Sequence, residues 1–216
     1  MSRKQVSHQN KRRKQLVGLA LTLTVGIGLM FNGGYLQAKA YAAQWLLESA
    51  WQQQLETGKA TKPWSWADTH PVAKLSFPDT QQSLLVLAGA SGRNLAFGPG
   101  LWLGQASNSQ ANKVVFGHKD THFAGLETLK VDDRIQWLGA DRQVEDYLVE
   151  SIQVVHQSRG DLLGQVGEER LQLVTCYPFD ATSVGGELRY LVTAKRVYPV
   201  VARVDIDELR PREYRF

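Results

Sequence analysis

Apolar residues are distributed along this chain in two textures, and the boundary between them is sharp. From Leu16 to Phe31 the sequence is an uncharged run of Leu, Val, Gly and Ile, preceded by Arg3, Lys4, Lys11, Arg12, Arg13 and Lys14. From Val72 onward it breaks into short apolar runs separated by Gly, Asp, Asn and Pro: Val72–Phe77, Leu84–Ala88, Val114–Gly117, Arg134–Leu138, Val144–Val155, Leu171–Cys176 and Leu188–Val197. Runs this short and closely spaced are strand signals. The gaps leave room only for short helices such as Ala124 to Leu129, so they argue for a small, mainly β, closed or nearly closed barrel. A doubly wound sheet would need longer crossover helices.

The first texture reads as a membrane element. A helix rises about 1.5 Å per residue and needs roughly 20 residues to cross the hydrocarbon core, so the run spans if it continues through Leu36. Positive charge before it and little after it place the N-terminus in the cytoplasm and the rest of the chain across the membrane. A secretory signal peptide would give the same direction, with Ala38-Lys-Ala40 as its cleavage site, and that alternative stays open. Helix formers continue from Tyr35 to Leu55, and Gly58 to His70 is a turn-rich linker. The expected organisation is a basic head over 1–15, a signal-anchor over 16–36, a membrane-proximal helix and linker over 37–71, and a catalytic barrel over 72–216.

Composition narrows the function classes. In 216 residues the formal net charge is +4, and the basic head supplies much of it, which argues against a nucleic-acid partner. A single cysteine, Cys176, can form neither an internal disulfide nor a thiolate metal site.

That cysteine ends the apolar run Leu171-Gln-Leu-Val-Thr-Cys. His118 ends another, Lys113-Val-Val-Phe-Gly-His, and Arg189 opens a third, Leu188-Arg-Tyr-Leu-Val. A free cysteine in a strand is commonly packing. Paired with a histidine and an arginine at strand ends, it reads as a nucleophile. The thiolate is the attacking species, a histidine can stabilise it or protonate a leaving amine, and an arginine stays charged and can grip an oxyanion or a backbone carbonyl. Thr175 can orient substrate, Asp120 can orient His118, and His122 reads as a supporting or substrate-facing residue. Asp120 with His122, or Glu168 with Glu169, could suggest a metal, but neither pair has further grouped ligands, and no metal or cofactor is expected. The tryptophans Trp45, Trp51, Trp64 and Trp66 read as membrane-interface or packing residues.

The order His118, then Leu173-Val-Thr-Cys176, then Arg189 opening the next strand resembles the sortase pattern. Asn94-Leu-Ala-Phe-Gly-Pro-Gly before the histidine strand and Gly125-Leu-Glu-Thr-Leu after it are similar too, and the likeness runs from about Val72 to Val200. Gln172 departs from the threonine that the family often carries at the matching position. Gly117-His-Lys-Asp-Thr-His-Phe and Val174-Thr-Cys-Tyr-Pro-Phe look most like the group from Gram-negative, often marine, proteobacteria. The resemblance implies a sortase-like barrel and a cysteine transpeptidase that cuts a Leu-Pro-x-Thr-Gly-like C-terminal signal of a secreted protein between Thr and Gly. It further implies a thioester on Cys176, resolved by an amine acceptor, with His118 as general acid/base and Arg189 as stabiliser. The matching location is the inner membrane, single-pass, with a periplasmic catalytic domain. A peptidase that lets water resolve the thioester, and a non-catalytic envelope binding module, are the other classes. An L,D-transpeptidase would carry a Ser-x-Gly-Cys context, which is missing here.

Overall fold

The computed structural model describes residues 3–103, 112–163, 169–180 and 186–198. Eight strands close into one barrel: β1 (Pro71–Phe77), β2 (Gln82–Ala88), β3 (Gly100–Leu101), β4 (Asn112–Phe116), β5 (Arg134–Gly139), β6 (Val144–His156), β7 (Arg170–Tyr177) and β8 (Leu188–Val197). Their order around the barrel is β1-β2-β3-β4-β7-β8-β6-β5, with β5 returning to β1. The β2/β3 and β4/β7 pairs are parallel and the rest are antiparallel.

All seven apolar runs read from the sequence are strands. The eighth, β3, has only two residues, Gly100 and Leu101, too few for any alternation to register. It exists because Gly100 sits against the Gly89 carbonyl, where a Cβ would approach to 2.5 Å and could not be accommodated. The short helical candidate after β4 is a 3-10 turn over Ala124–Thr128.

Strand alternation fills the lumen. Ala73, Leu75 and Phe77 from β1, Val115 from β4, Leu171 and Leu173 from β7, and Val192 and Ala194 from β8 join one buried core with Phe123, Leu126, Trp137 and Tyr147. The opposite faces of β4, β7 and β8 are also covered. Val114, Val174 and Leu191 form a second cluster outside the lumen, against Trp102, Phe116, Val155, Leu162 and Leu163. This outer cluster is why β7 reads as a nearly continuous apolar run.

Helix α1 runs from Arg3 to Thr57 without a break. Its stretch from Gln15 is long and apolar enough to cross a membrane, and none of its apolar window is buried against the protein. The last turns behave differently. Leu47, Ala50, Trp51 and Gln54 recur at helical spacing and are buried. Lys74 on β1 bonds Glu48 at 3.3 Å, the Gln44 amide donates to the Phe97 carbonyl at 2.8 Å, and Arg142 donates to the Leu55 carbonyl. The segment from Gly58 to His70 therefore does not hang between helix and barrel as a free linker. It packs back, with Trp64 edge-to-face on Phe97 at 5.2 Å, and Gln54 accepting from the Thr61 N–H.

Candidate active site

Strand register assembles the site. Phe116 is the Cα partner of Val174 in the parallel β4/β7 ladder, and the Gly117 N–H extends that ladder by donating to the Val174 carbonyl at 3.1 Å. Two residues further along each strand come His118 and Cys176. Across the next interface, in the antiparallel β7/β8 ladder, Cys176 is the Cα partner of Arg189. Cys176 and Arg189 are thus ladder partners on adjacent strands, which lie about 4.8 Å apart in a sheet, and His118 follows directly after the end of the neighbouring strand β4. Alternation puts Cys176 and Arg189 on the outer face: Val174 and Leu191, two positions before Cys176 and two after Arg189, belong to the outer cluster, as do Val114 and Phe116 on the strand that leads to His118.

Each member is held differently. Thr175 points inward, and its buried hydroxyl donates to the Gly117 carbonyl at 2.7 Å. Gly117 lies under the Phe123 ring, where a Cβ would come within 2.6 Å, and the His118 carbonyl accepts the Phe123 N–H at 3.0 Å. The imidazole is exposed while its backbone is clamped, and Cys176 is half-buried. Arg189 donates to the carbonyls of Gly186 at 2.6 Å and Leu188 at 2.9 Å, and to Gln157 Oε1 at 2.9 Å.

The other residues singled out in the sequence fall into place unevenly. The Asp120 carboxylate pairs with the Lys119 ammonium at 3.1 Å. Lys119, unremarked in the sequence, is buried and also donates to the Phe179 carbonyl at 3.2 Å, linking the histidine loop to the segment just after the thiol. His122 shares a 3.3 Å contact with the Thr121 hydroxyl. It also lines a cavity of about 260 Å³ at the seam between α1 and the barrel, together with Gln44, Glu48, Lys74, Leu84 and Phe97. Burial, and then the neighbouring His118, push the His122 pKa below its ordinary value, which favours a neutral ring.

Gln172, the departure from the family pattern, is buried on the outer side of β7, where its amide donates to the Leu162 carbonyl at 2.8 Å. It fixes the turn that covers the outer cluster. Glu169 binds Arg196, and Glu168 lies outside the described residues, as does the expected domain end over 199–216. Among the described residues no three His, Cys, Asp or Glu side chains gather as a metal site would require. Inside the barrel mouth Tyr177, Phe179 and Tyr190 pack together, with Phe179 and Tyr190 edge-to-face at 5.1 Å and the Tyr177 and Tyr190 rings stacked at 6.1 Å. Trp51 is buried, whereas Trp45 and Trp66 are exposed.

The sortase domain profile matches residues 75–197, more than half of the chain, with His118, Cys176 and Arg189 included. The chain belongs to the sortase family. Sortase C-1 from Actinomyces oris is similar at 29% identity and a TM-score of 0.53, covering 60% of this chain and 74% of that one. The pilus-related sortase C of Group B Streptococcus is similar at 26% identity and a TM-score of 0.52, over 59% of this chain and 68% of that one. A Clostridium perfringens sortase D5 transpeptidase shares the fold at 19% identity, with a TM-score of 0.57 over 73% of this chain and 99% of that one. No curated protein is similar enough to count as a match. Membership of the family supports transpeptidase chemistry and a membrane-tethered arrangement for this sortase, and the eight-stranded closed barrel is the sortase fold.

Proposed function

We propose that this sortase is a membrane-anchored cysteine transpeptidase in which Cys176 is the nucleophile, His118 the general acid/base and Arg189 the electrostatic clamp. The observation that carries the reading is the ladder pairing of Cys176 with Arg189 on β7 and β8, with His118 following the end of β4, the parallel neighbour of β7. In the first half-reaction the Cys176 thiolate attacks the scissile carbonyl carbon. Arg189 hydrogen-bonds the developing oxyanion or an adjacent substrate carbonyl, and the peptide C–N bond breaks as His118 gives its proton to the departing amine. A thioester remains. In the second half an acceptor amine loses its proton to His118 and attacks the thioester carbonyl, so that an amide forms and the thiolate leaves.

The substrate proposed is a secreted protein with a Leu-Pro-x-Thr-Gly-like C-terminal signal, cut between Thr and Gly. The outer cluster of Trp102, Phe116, Val174, Leu191, Leu162 and Leu163 beside the thiol supports an extended peptide with an apolar residue upstream of the cut. Thr175 acts from behind by fixing the strand ends, and His122 as a neutral neighbour of His118. The acceptor is an amine on peptidoglycan or protein. Residues 16–36 are assigned as a single-pass anchor in the inner membrane of a Gram-negative cell, with residues 1–15 cytoplasmic, 37–71 membrane-proximal and 72–216 forming the periplasmic catalytic barrel. The apolar stretch from Gln15 and the basic residues before it support that topology.

The test is incubation of the full chain in detergent with a Leu-Pro-x-Thr-Gly peptide library, with and without hydroxylamine, followed by intact mass measurement. A thioester-sized adduct on the wild type and none on Cys176→Ala, with amine-accelerated cleavage after Thr, is expected. Cleavage indifferent to added amine would make the protein a peptidase, and absence of any adduct would reject the proposal.

A further inference from the structure

Among the described residues, Arg189 is gripped by neutral groups alone. Nη1 donates to two main-chain carbonyls, Gly186 and Leu188, and Nη2 donates to the carboxamide oxygen of Gln157 at 2.9 Å. A guanidinium has five N–H donors. These bonds engage three, and among the described residues Nε–H and the second Nη2 proton have no hydrogen-bond acceptor.

Gln157 is well placed to hold that fork. It is the first residue beyond β6, whose Val155 is the Cα partner of Arg189 and whose His156 is the partner of Leu188. Its own N–H donates to the Glu187 carbonyl at 2.7 Å, which ties the end of β6 to the start of β8. Its side chain is therefore presented across the strand from a fixed main chain.

The nearby acid in the chain is engaged differently: Glu187, two residues before Arg189, directs its carboxylate to His156 Nε2 at 3.5 Å. Had a carboxylate taken the place of the Gln157 amide, the guanidinium charge would be largely compensated before any substrate arrived. A carboxamide holds the same geometry and leaves the charge in force at the row shared with Cys176.

We infer that Gln157 is a positioning residue for the sortase chemistry, fixing Arg189 through an uncharged hydrogen bond so that its full positive charge and its remaining N–H donors serve the thiolate and the oxyanion. The inference rests on the proposed roles of Cys176 and Arg189. Gln157 acts only through Arg189 and touches no reacting atom.

The experiment uses the full chain in detergent, where Cys176 is the sole cysteine and iodoacetamide therefore reports one thiol. Alkylation rate is measured against pH for the wild type, Gln157→Ala, Gln157→Glu, Arg189→Ala and the double variant Gln157→Ala with Arg189→Ala. Gln157→Glu keeps a hydrogen-bond acceptor and adds the compensating charge. It is expected to slow alkylation at pH 7 about threefold, because the compensated guanidinium stabilises the attacking thiolate less. Gln157→Ala is expected to move the profile in the same direction as Arg189→Ala by a smaller amount, and to add nothing in the Arg189→Ala background. Gln157 is exposed, so folding is not at stake, and unchanged thermal unfolding confirms it. Superimposable profiles for the wild type and both Gln157 variants would overturn the inference, as would an equal effect of Gln157→Ala with and without Arg189. Failure of the wild type to form a thioester with any peptide would reject the proposed function separately, because the alkylation profiles need no substrate.

Discussion

The Thr175 hydroxyl donates to the Gly117 carbonyl at 2.7 Å, so the residue before the thiol is bonded to the residue before the imidazole. The bond is buried and ties the end of β4 to its parallel neighbour β7, at the point where β4 leaves the sheet. It is the shortest covalent-plus-hydrogen-bond path between His118 and Cys176. Thr175→Val keeps the shape and removes the donor, leaving a buried carbonyl unpaired at a cost of about 1–3 kcal/mol. The expected result is lower thermal stability and about a tenfold slower thioester formation, since small misplacement of reacting groups is costly. Thr175→Ser, which restores the donor, is expected to recover most of both. Equal behaviour of the Val and Ser variants in unfolding and single-turnover acylation would show that the hydrogen bond does not align the pair.

Asp120 gives a contrasting expectation. Its carboxylate lies on Lys119, is largely exposed, and has no bond to His118. Exposed ion pairs contribute about 0–1 kcal/mol. Asp120→Asn is therefore expected to leave the rate of thioester formation within about twofold of wild type. Lys119→Met removes the tie to the Phe179 carbonyl from a buried position and is expected to slow acylation more than Asp120→Asn does. Comparing the two variants in single-turnover acylation decides whether the loop is held by the lysine, as the geometry has it, or by the aspartate.

What was readable from the sequence follows a physical divide. The strands of the barrel could be read because burial imposes a period of two or a continuous apolar run, and the three proposed site residues drew attention because each stands at the end of such a run. The two-residue β3 carries no period. Lys119 and Gln157 are invisible for another reason: a buried lysine and an exposed glutamine look ordinary in a sequence, and each matters only through a carbonyl or a guanidinium far away in the chain. The only hint was that Lys119 adjoins His118. Asp120, two residues from His118, suggested an orienting carboxylate, but the chain turns there and the neighbouring Lys119 ammonium pairs with it.

His122 makes the stability of the domain depend on pH in a definite direction. Burial first, and His118 second, lower its pKa in the folded protein from the model-compound value of 6.5. The unfolded chain therefore binds the proton more readily, and acid favours unfolding. The stabilisation is fully present above about 6.5 and is lost as pH falls below that value toward the folded pKa. His70 shifts the same way, by burial and then by Lys62. The charged groups sharing the His122 cavity are Glu48 and Lys74, already paired with each other. In thermal unfolding between pH 7.5 and 5, His122→Gln is expected to flatten the decline toward acid, and an unchanged slope would show that the ring is solvated in solution.

The docked end of α1 makes that helix part of the barrel's folding unit. Trp51 is 1% exposed, and Leu47, Ala50 and Gln54 are buried around it on a helix whose earlier turns are open. Among the described residues the barrel meets this part of the helix through Lys74, Phe97 and Arg142, and the returning segment 58–70 bonds Gln54. Removing a buried tryptophan costs about 3–5 kcal/mol, a large fraction of a domain's net stability. Trp51→Ala is therefore expected to lower the melting temperature of the whole barrel by several degrees, in one cooperative transition. A protein beginning at Ala60, which lacks the helix, is expected to be less stable than one beginning at Gln37 and to expose an apolar patch beside β1 and β5. Identical melting temperatures for these two fragments would mean that the helix merely tethers the barrel. A lower one for the shorter fragment would mean that the height and orientation of the Cys176 row above the membrane are set by a rigid strut.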